Sequence, residues 1–310
     1  MLSLEHIRSI CSGGISISES LAPMTSFRIG GPVDIYIEPV VVEELVAIVR
    51  YLRETESPYV VLGNGSNILI SDEGLRGVAL NIERHFRDVT YEDGIVSAGA
   101  GIRLSSLVDF CVRNGLAGTE MLAGIPGTLG GALIMNAGAY GGEISDHLLD
   151  VTVLHDDEMR TVAKEECGFR YRNSDLRDDI ILGARFRLPE GDGEELRVRR
   201  KELLLKRNIA QPVNLPNAGS IFKNPEGRYA AQLIEECGLK GRRFGGAEIS
   251  ERHANFIVNT GGARAQDVID AMNTIRRTVF EKTGSILEPE IQLLGFPEDV
   301  ITPLHGERRS

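Results

Sequence analysis

The chain has neither a G-x-G-x-x-G turn nor a G-x-x-x-x-G-K-[ST] loop, although 35 of its 310 residues are glycine. Gly63 and Gly65 are followed by Ile68, and Gly99 and Gly101 by Leu104. Nucleotide binding in the common Rossmann or P-loop manner is therefore disfavoured. Cysteine is sparse. The four residues, at 11, 111, 167 and 237, form no C-x-x-C pair, so neither a disulfide framework nor a zinc site is expected. The six histidines lack H-x-x-x-H spacing, and no metal site is expected. No run of 18 apolar residues exists, which argues against a transmembrane helix. The start, M1-L-S-L-E-H-I-R-S-I10, has no long apolar core and is not read as a secretory leader, so the cytoplasm is the expected location. Positive charge is in deficit. A net charge of −11 argues against general nucleic-acid binding, and no obligate protein partner is evident. An acidic protein that binds an anion must gather its basic residues locally. R197-V-R-R-K-E-L-L-L-K-R207 does so, either as a solvated helix face or as part of a diphosphate pocket.

What is present is glycine placed where strands end. V61-L-G-N-G-S-N-I-L-I70 and G124-I-P-G-T-L-G-G-A-L-I-M-N-A-G-A-Y-G141 are both flanked by apolar runs. Glycine there permits positive φ and lets backbone approach a ligand. Backbone N–H groups freed from pairing can cradle phosphate oxygens. Two such loops point to a dinucleotide gripped at two places.

Hydrophobic periodicity predicts helices over 42–56 (Leu45, Ile48, Val49, Leu52), around Leu104–Cys111, around Tyr229–Cys237 and over Ala265–Lys282. Strands are expected at Tyr59–Leu62 with Ile68–Ile70 as its continuation, and at Arg76–Ile82, Val151–Leu154, Ile180–Leu188, His253–Asn259 and Leu287–Gly295. The polar stretch Pro189–Glu195 is the best candidate boundary. The expected segments are 1–23, a domain over 24–189 (parts 24–80 and 81–189), a second domain over 196–298, and a tail over 299–310 expected to be disordered. Mixed helices and strands give α+β or α/β.

T25-S-F-R-I-G-G-P-V-D34, L62-G-N-G-S-N67, G124-I-P-G-T-L-G-G131, N136-A-G-A-Y-G141, Y171-R-N-S174, G219-S-I-F-K-N224, H253-A-N-F-I-V-N259 and L287-E-P-E290 occur in this order over roughly residues 24–295. Together they resemble the UDP-N-acetylenolpyruvoylglucosamine reductase family. The resemblance implies an α+β fold, with a two-subdomain FAD-binding (PCMH-type) portion followed by a C-terminal α+β substrate-binding domain. It implies non-covalent FAD, with NADPH as co-substrate. It also implies the small-molecule substrate UDP-N-acetylglucosamine enolpyruvate, reduced to UDP-N-acetylmuramate for peptidoglycan synthesis.

In that chemistry hydride reaches the terminal enolpyruvyl carbon, and the neighbouring carbon, carrying enolate charge, must be protonated. Three roles follow: a proton donor, a cation beside the carboxylate, and a group that polarises the enolate. The resemblance assigns the proton donor to Ser220. It assigns catalytic roles to Arg172, whose planar fork suits a carboxylate, and to Glu290. Arg170 and Glu288 are the rivals two residues away. On a strand, Arg170 and Arg172 would share a face, so spacing alone does not separate them. A glutamate facing an anion must be protonated or share a proton. Lys223, Asn224, His253 and Asn255 are expected at the substrate. The flavin is expected on Gly63, Asn64, Gly65, Ser66 and Asn67, and on Gly124, Ile125, Pro126, Gly127, Thr128, Gly130, Gly131, Ala137, Gly138 and Gly141. Some family members carry a tyrosine-bearing loop between the catalytic arginine and serine. Here 47 residues separate Arg172 and Ser220, which fits the branch without it.

Two rival readings are weighed. A covalent flavin oxidase is disfavoured because no His or Cys lies within 56–75 or 118–142. A non-enzymatic binder has no need of a proton donor.

Overall fold

The computed structural model describes residues 2–302; the expected tail falls largely outside these residues. Seven helices are described: α1 (Leu4–Ile10), α2 (Val42–Glu54), α3 (Leu104–Arg113), α4 (Leu129–Ile134), α5 (Gly193–Ala210), α6 (Ala230–Glu236) and α7 (Ala265–Thr283). No described helix is long and apolar enough to cross a membrane.

Two compact units divide the chain, and neither is continuous in sequence. The first comprises 1–18, 34–64 and 77–207, and the second 19–33, 65–76 and 208–310. The polar stretch 189–195 thus lies inside the first unit. The reason is α5, which follows it and buries Leu196 and Leu203. The first glycine stretch is itself divided, with Gly63 and Asn64 in one unit and Gly65 to Asn67 in the other.

In the first unit, a four-stranded sheet has the order Ile15–Ser20, Pro32–Ile37, Leu75–Asn81, Tyr59–Leu62, the last pair parallel. A five-stranded antiparallel sheet has the order Glu158–Ala163, Leu148–His155, Ile180–Phe186, Ile95–Gly99, Val89–Glu92. Helix α2 buries Leu45, Ile48, Val49 and Leu52, the apolar face that its period predicts. Helix α3 buries Leu104, Leu107, Val108 and Cys111, and the chain then turns at Gly115 with φ +69°. These side chains join one continuous core.

The second unit has its own core, centred on α6, α7 and the three-stranded sheet Arg243–Phe244, Ala247–Ile249, Ile257–Asn259. Helix α7 buries Val268, Met272, Ile275 and Val279 on one face and ends at Gly284, left-handed with φ +70°.

Three expectations change. Ile68–Ile70 does not continue Tyr59–Leu62. It pairs in parallel with Gln292–Leu294, because the glycine stretch between redirects the chain into a different sheet. The strand expected over His253–Asn259 shrinks to Ile257–Asn259, because the Phe256 N–H bonds the His253 carbonyl and closes a turn. The final strand is shorter than expected and spans Gln292–Leu294.

Leu107 is 1% exposed. Leu107→Ala is expected to destabilise the first unit by about 2–5 kcal/mol, through lost burial and the cavity left behind. Chemical denaturation would show this as a lower midpoint at unchanged slope, and an unchanged midpoint would contradict the packing described.

Candidate functional site

The first unit brings part of both glycine stretches together. A Cβ on Gly63 would lie 2.4 Å from Thr128 Oγ1, so the Cα sits directly against that threonine. Thr128 in turn caps α4, its Oγ1 accepting from the Gly131 N–H at 3.5 Å. Gly124 and Gly127 hold φ +81° and +133°, which an L side chain rarely adopts. The stretch is fastened alongside residues 100–104: the Leu104 N–H bonds the Gly127 carbonyl, Leu129 the Ile102 carbonyl, and Gly130 the Ala100 carbonyl.

This fastening sorts the expected flavin residues. The N–H groups of Ile125, Gly130 and Gly131 are committed within the fold. Gly130 serves close helix–sheet packing, its would-be Cβ 3.2 Å from Ala100 Cβ and 3.5 Å from Ile181 Cβ. Among the described residues, the N–H groups of Gly63, Asn64, Gly127 and Thr128 have no acceptor. Four such donors, on two segments that meet at Gly63 and Thr128, suit an anionic diphosphate. Gly65 (φ +62°) lies in the second unit against the Met24 carbonyl, and its own carbonyl accepts from Ser26 N–H.

Further along, Gly138–Ala139 and Gly142–Glu143 form a hairpin. Its two-residue tip is Tyr140 and Gly141, at φ +54° and +84°, the positive values a primed turn requires. The Ala137 N–H bonds the Ala132 carbonyl. Asn136, absent from the expected set, is 1% exposed. Its Nδ2 donates to Glu143 Oε2 at 2.6 Å and to the Arg170 carbonyl at 3.3 Å, while its buried Oδ1 has no donor. A buried acceptor left open calls for a ligand N–H, and a flavin ring carries one. Open donors for a diphosphate and an open acceptor for a ring N–H together fit FAD. A lone polar residue within the apolar run I134-M-N-A137 was the available signal for Asn136.

The segment that carries Arg170 and Arg172 is a turn and not a strand, so the two side chains do not share a strand face. Arg170 and Asn173 exchange backbone hydrogen bonds, leaving Tyr171 and Arg172 at the tip. Arg170 forms an ion pair with Asp175 at 2.6 Å. Arg172 is strained, with φ +54°, lies 4.9 Å from the Tyr171 ring centroid, and donates from Nη2 to the Gly138 carbonyl at 2.9 Å. A non-glycine residue held at positive φ is often a functional one. Ser174 Oγ anchors the same turn to the Ile134 carbonyl at 2.9 Å.

The basic run also reaches the second glycine stretch. Arg207 Cδ lies 2.8 Å from where a Gly124 Cβ would be, and Leu204 Cδ2 lies 3.0 Å from it. Burial pulls the Arg207 guanidinium below its usual value, and among the described residues no carboxylate pairs with it.

The second unit pairs the segment that follows Ser220 with the segment that ends at Glu290. Residues 221–223 run antiparallel to 288–290: the Lys223 N–H bonds the Glu288 carbonyl at 2.9 Å, and the Glu290 N–H bonds the Ile221 carbonyl at 2.8 Å. Asn255, 4% exposed, braces this ladder. Its Oδ1 accepts from Phe222 N–H at 3.0 Å, and its Nδ2 donates to the Phe222 carbonyl at 2.7 Å. Asn255, expected at the substrate, thus has its side-chain amide bonded at both ends to the Phe222 backbone. Asn67 joins the same cluster, donating from Nδ2 to the Glu290 carbonyl at 3.2 Å and accepting from Gln292 N–H at 2.9 Å.

The remaining residues are more dispersed in role. Lys223 Nζ lies 3.7 Å from Glu288, a half-exposed pair of small energetic weight. Asn224 Oδ1 accepts from Ala230 N–H and caps α6. His253 meets Phe256 edge-on at 4.8 Å between centroids. Burial lowers its pKa from the usual histidine value, and its buried Nδ1 has no partner. Among the described residues no cluster suits a metal ion.

Two family models match the chain. The family model described as "FAD binding domain" matches residues 33–163. The fold is therefore α+β, with an FAD-binding portion of PCMH type, and the chain is a flavin-dependent oxidoreductase. The model for the C-terminal domain of UDP-N-acetylenolpyruvoylglucosamine reductase matches residues 211–294. The reductase of that name from Chloroherpeton thalassium is 42% identical, over 97% of this chain and 99% of its own. That from Syntrophus aciditrophicus is 43% identical, over 94% and 95%. The crystal structure of the Thermus caldophilus reductase aligns with a TM-score of 0.77 at 40% identity, covering 91% of this chain and 98% of that one. The chain belongs to the UDP-N-acetylenolpyruvoylglucosamine reductase family.

Gly63→Ala is expected to weaken flavin retention, because a methyl group 2.4 Å from Thr128 Oγ1 must push the two segments apart. The ratio of flavin to protein absorbance after gel filtration measures this. A fully loaded Gly63→Ala protein would refute the contact's importance.

Proposed function

We propose that this chain reduces UDP-N-acetylglucosamine enolpyruvate to UDP-N-acetylmuramate, with NADPH as reductant, in the cytoplasmic supply of peptidoglycan precursor. Cell shape and division would depend on it through the wall. The observation that supports the reading is the match to the reductases along nearly the whole length of the chain, with a backbone ladder that pairs Ile221, the residue after Ser220, with Glu290.

Bound FAD would supply the hydride chemistry that links NADPH to the terminal carbon of the enolpyruvyl double bond. Ser220 then gives its hydroxyl proton to the neighbouring carbon. A serine hydroxyl is a weak acid, so this donation relies on a strongly basic acceptor and on fixed geometry. The ladder through Ile221 and Glu290 supports that fixity. Arg172 places its guanidinium beside the substrate carboxylate, into which the enolate charge spreads. Glu290, protonated or sharing a proton, donates to the same charge. One hydride and one proton complete the two-electron reduction. Lys223 offers a point charge to the substrate diphosphate. Gly63, Asn64, Gly127 and Thr128 hold the cofactor diphosphate through backbone N–H groups.

The test is anaerobic. The protein's flavin is reduced with NADPH, the enolpyruvate is added, and flavin absorbance is followed. The oxidised spectrum should return with one product per flavin. Ser220→Ala should reduce normally and reoxidise about 10²–10⁴-fold more slowly, the range for loss of a general acid. Arg172→Ala and Glu290→Gln should likewise slow the second half-reaction more than the first. Flavin that stays reduced in the wild-type protein would refute the substrate, and normal reoxidation in Ser220→Ala would refute the proton donor.

A further inference from the structure

A second basic feature stands apart from the flavin and substrate residues. Helices α3 and α5 border an open cleft of about 500 Å³ in the first unit, within the roughly 300–1,000 Å³ of small-molecule sites. Arg113, Arg197, Arg200 and Lys201 line it, against the single carboxylate of Asp109, with Leu204 contributing to an apolar floor. This is a concentration of positive charge in a chain of net charge −11.

The pairing in the cleft is incomplete. Arg200 forms an ion pair with Asp109, and Arg197 with Glu194 at 2.9 Å. Among the described residues, Arg113 and Lys201 have no carboxylate partner. The Arg200 Nε–H is buried with no acceptor among the described residues. A buried donor left open is uncommon and marks a missing partner. Guanidinium and ammonium groups around one cavity suit the oxygens of a phosphate, and the apolar floor suits the body of an ester.

We propose that this cleft binds a phosphate-bearing metabolite of about nucleotide size, at a site separate from both glycine stretches. Leu204 lines the cleft and also packs against Gly124, so an occupant adjoins the second glycine stretch through one shared side chain.

The probe is inorganic pyrophosphate, titrated calorimetrically at low salt into the FAD-loaded full chain. One saturable site is expected, weakening steeply as salt rises. Lys201→Gln and Arg113→Gln should each weaken it about tenfold, the loss of one charge-assisted contact. Neither variant breaks an ion pair, and unchanged circular dichroism and flavin absorbance would establish that both remain folded. Lys223→Gln should leave the affinity unaltered. Absence of saturable heat in the wild-type protein would overturn the proposal. So would an affinity that falls in Lys223→Gln but survives both cleft variants.

Discussion

The Asn255 amide grips Phe222 by both its N–H and its carbonyl, inside the core of the second unit. The consequence reaches both neighbours of that phenylalanine. Ile221 accepts from Glu290 N–H, and Lys223 donates to Glu288. A one-residue slip in an extended segment would turn every side chain to the opposite face. The brace therefore sets the register of residues 221–223, which follow Ser220, against residues 288–290. Proton transfer from a weak acid depends on such positioning more than on acidity.

The first unit meets a related demand by the opposite means. There the constraint is the lack of a side chain, since Gly63 can lie against Thr128 only because it has no Cβ. The Thr128 hydroxyl caps α4, and the preceding backbone is anchored to residues 100–104. What is left over is a set of N–H groups without acceptors and the open Oδ1 of Asn136. Both units leave polar groups open where a ligand is expected, and both hold those groups with backbone hydrogen bonds. Fixed dipoles of this kind need not reorganise when charge develops.

Much of this was legible in the residues. The apolar stripes of α2, α3 and α7 were visible because long amphipathic helices repeat their period several times. Glycine at strand ends gave the place of both loops. The division into units was not legible, because it depends on segments distant in sequence packing together, and residues 65–76 carry no local mark of belonging with 208–302. The turn over 170–173 was not legible either: spacing left Arg170 and Arg172 unseparated, and only the hydrogen bonds between Arg170 and Asn173 show that the segment is no strand. The role of Asn255 was hidden for a similar reason. Its partner, Phe222, lies 33 residues away, and no local pattern marks that contact.

The positioning role of Asn255 is open to one direct measurement: stopped-flow kinetics of both half-reactions in Asn255→Ala, on protein shown to be folded and fully loaded with flavin. Reduction by NADPH should proceed at the wild-type rate. Reoxidation by the enolpyruvate should slow by roughly 10²-fold, the scale of a misplacement near 1 Å. Equal loss in both half-reactions, or none in either, would contradict the view that this amide positions the segment carrying the proposed proton donor.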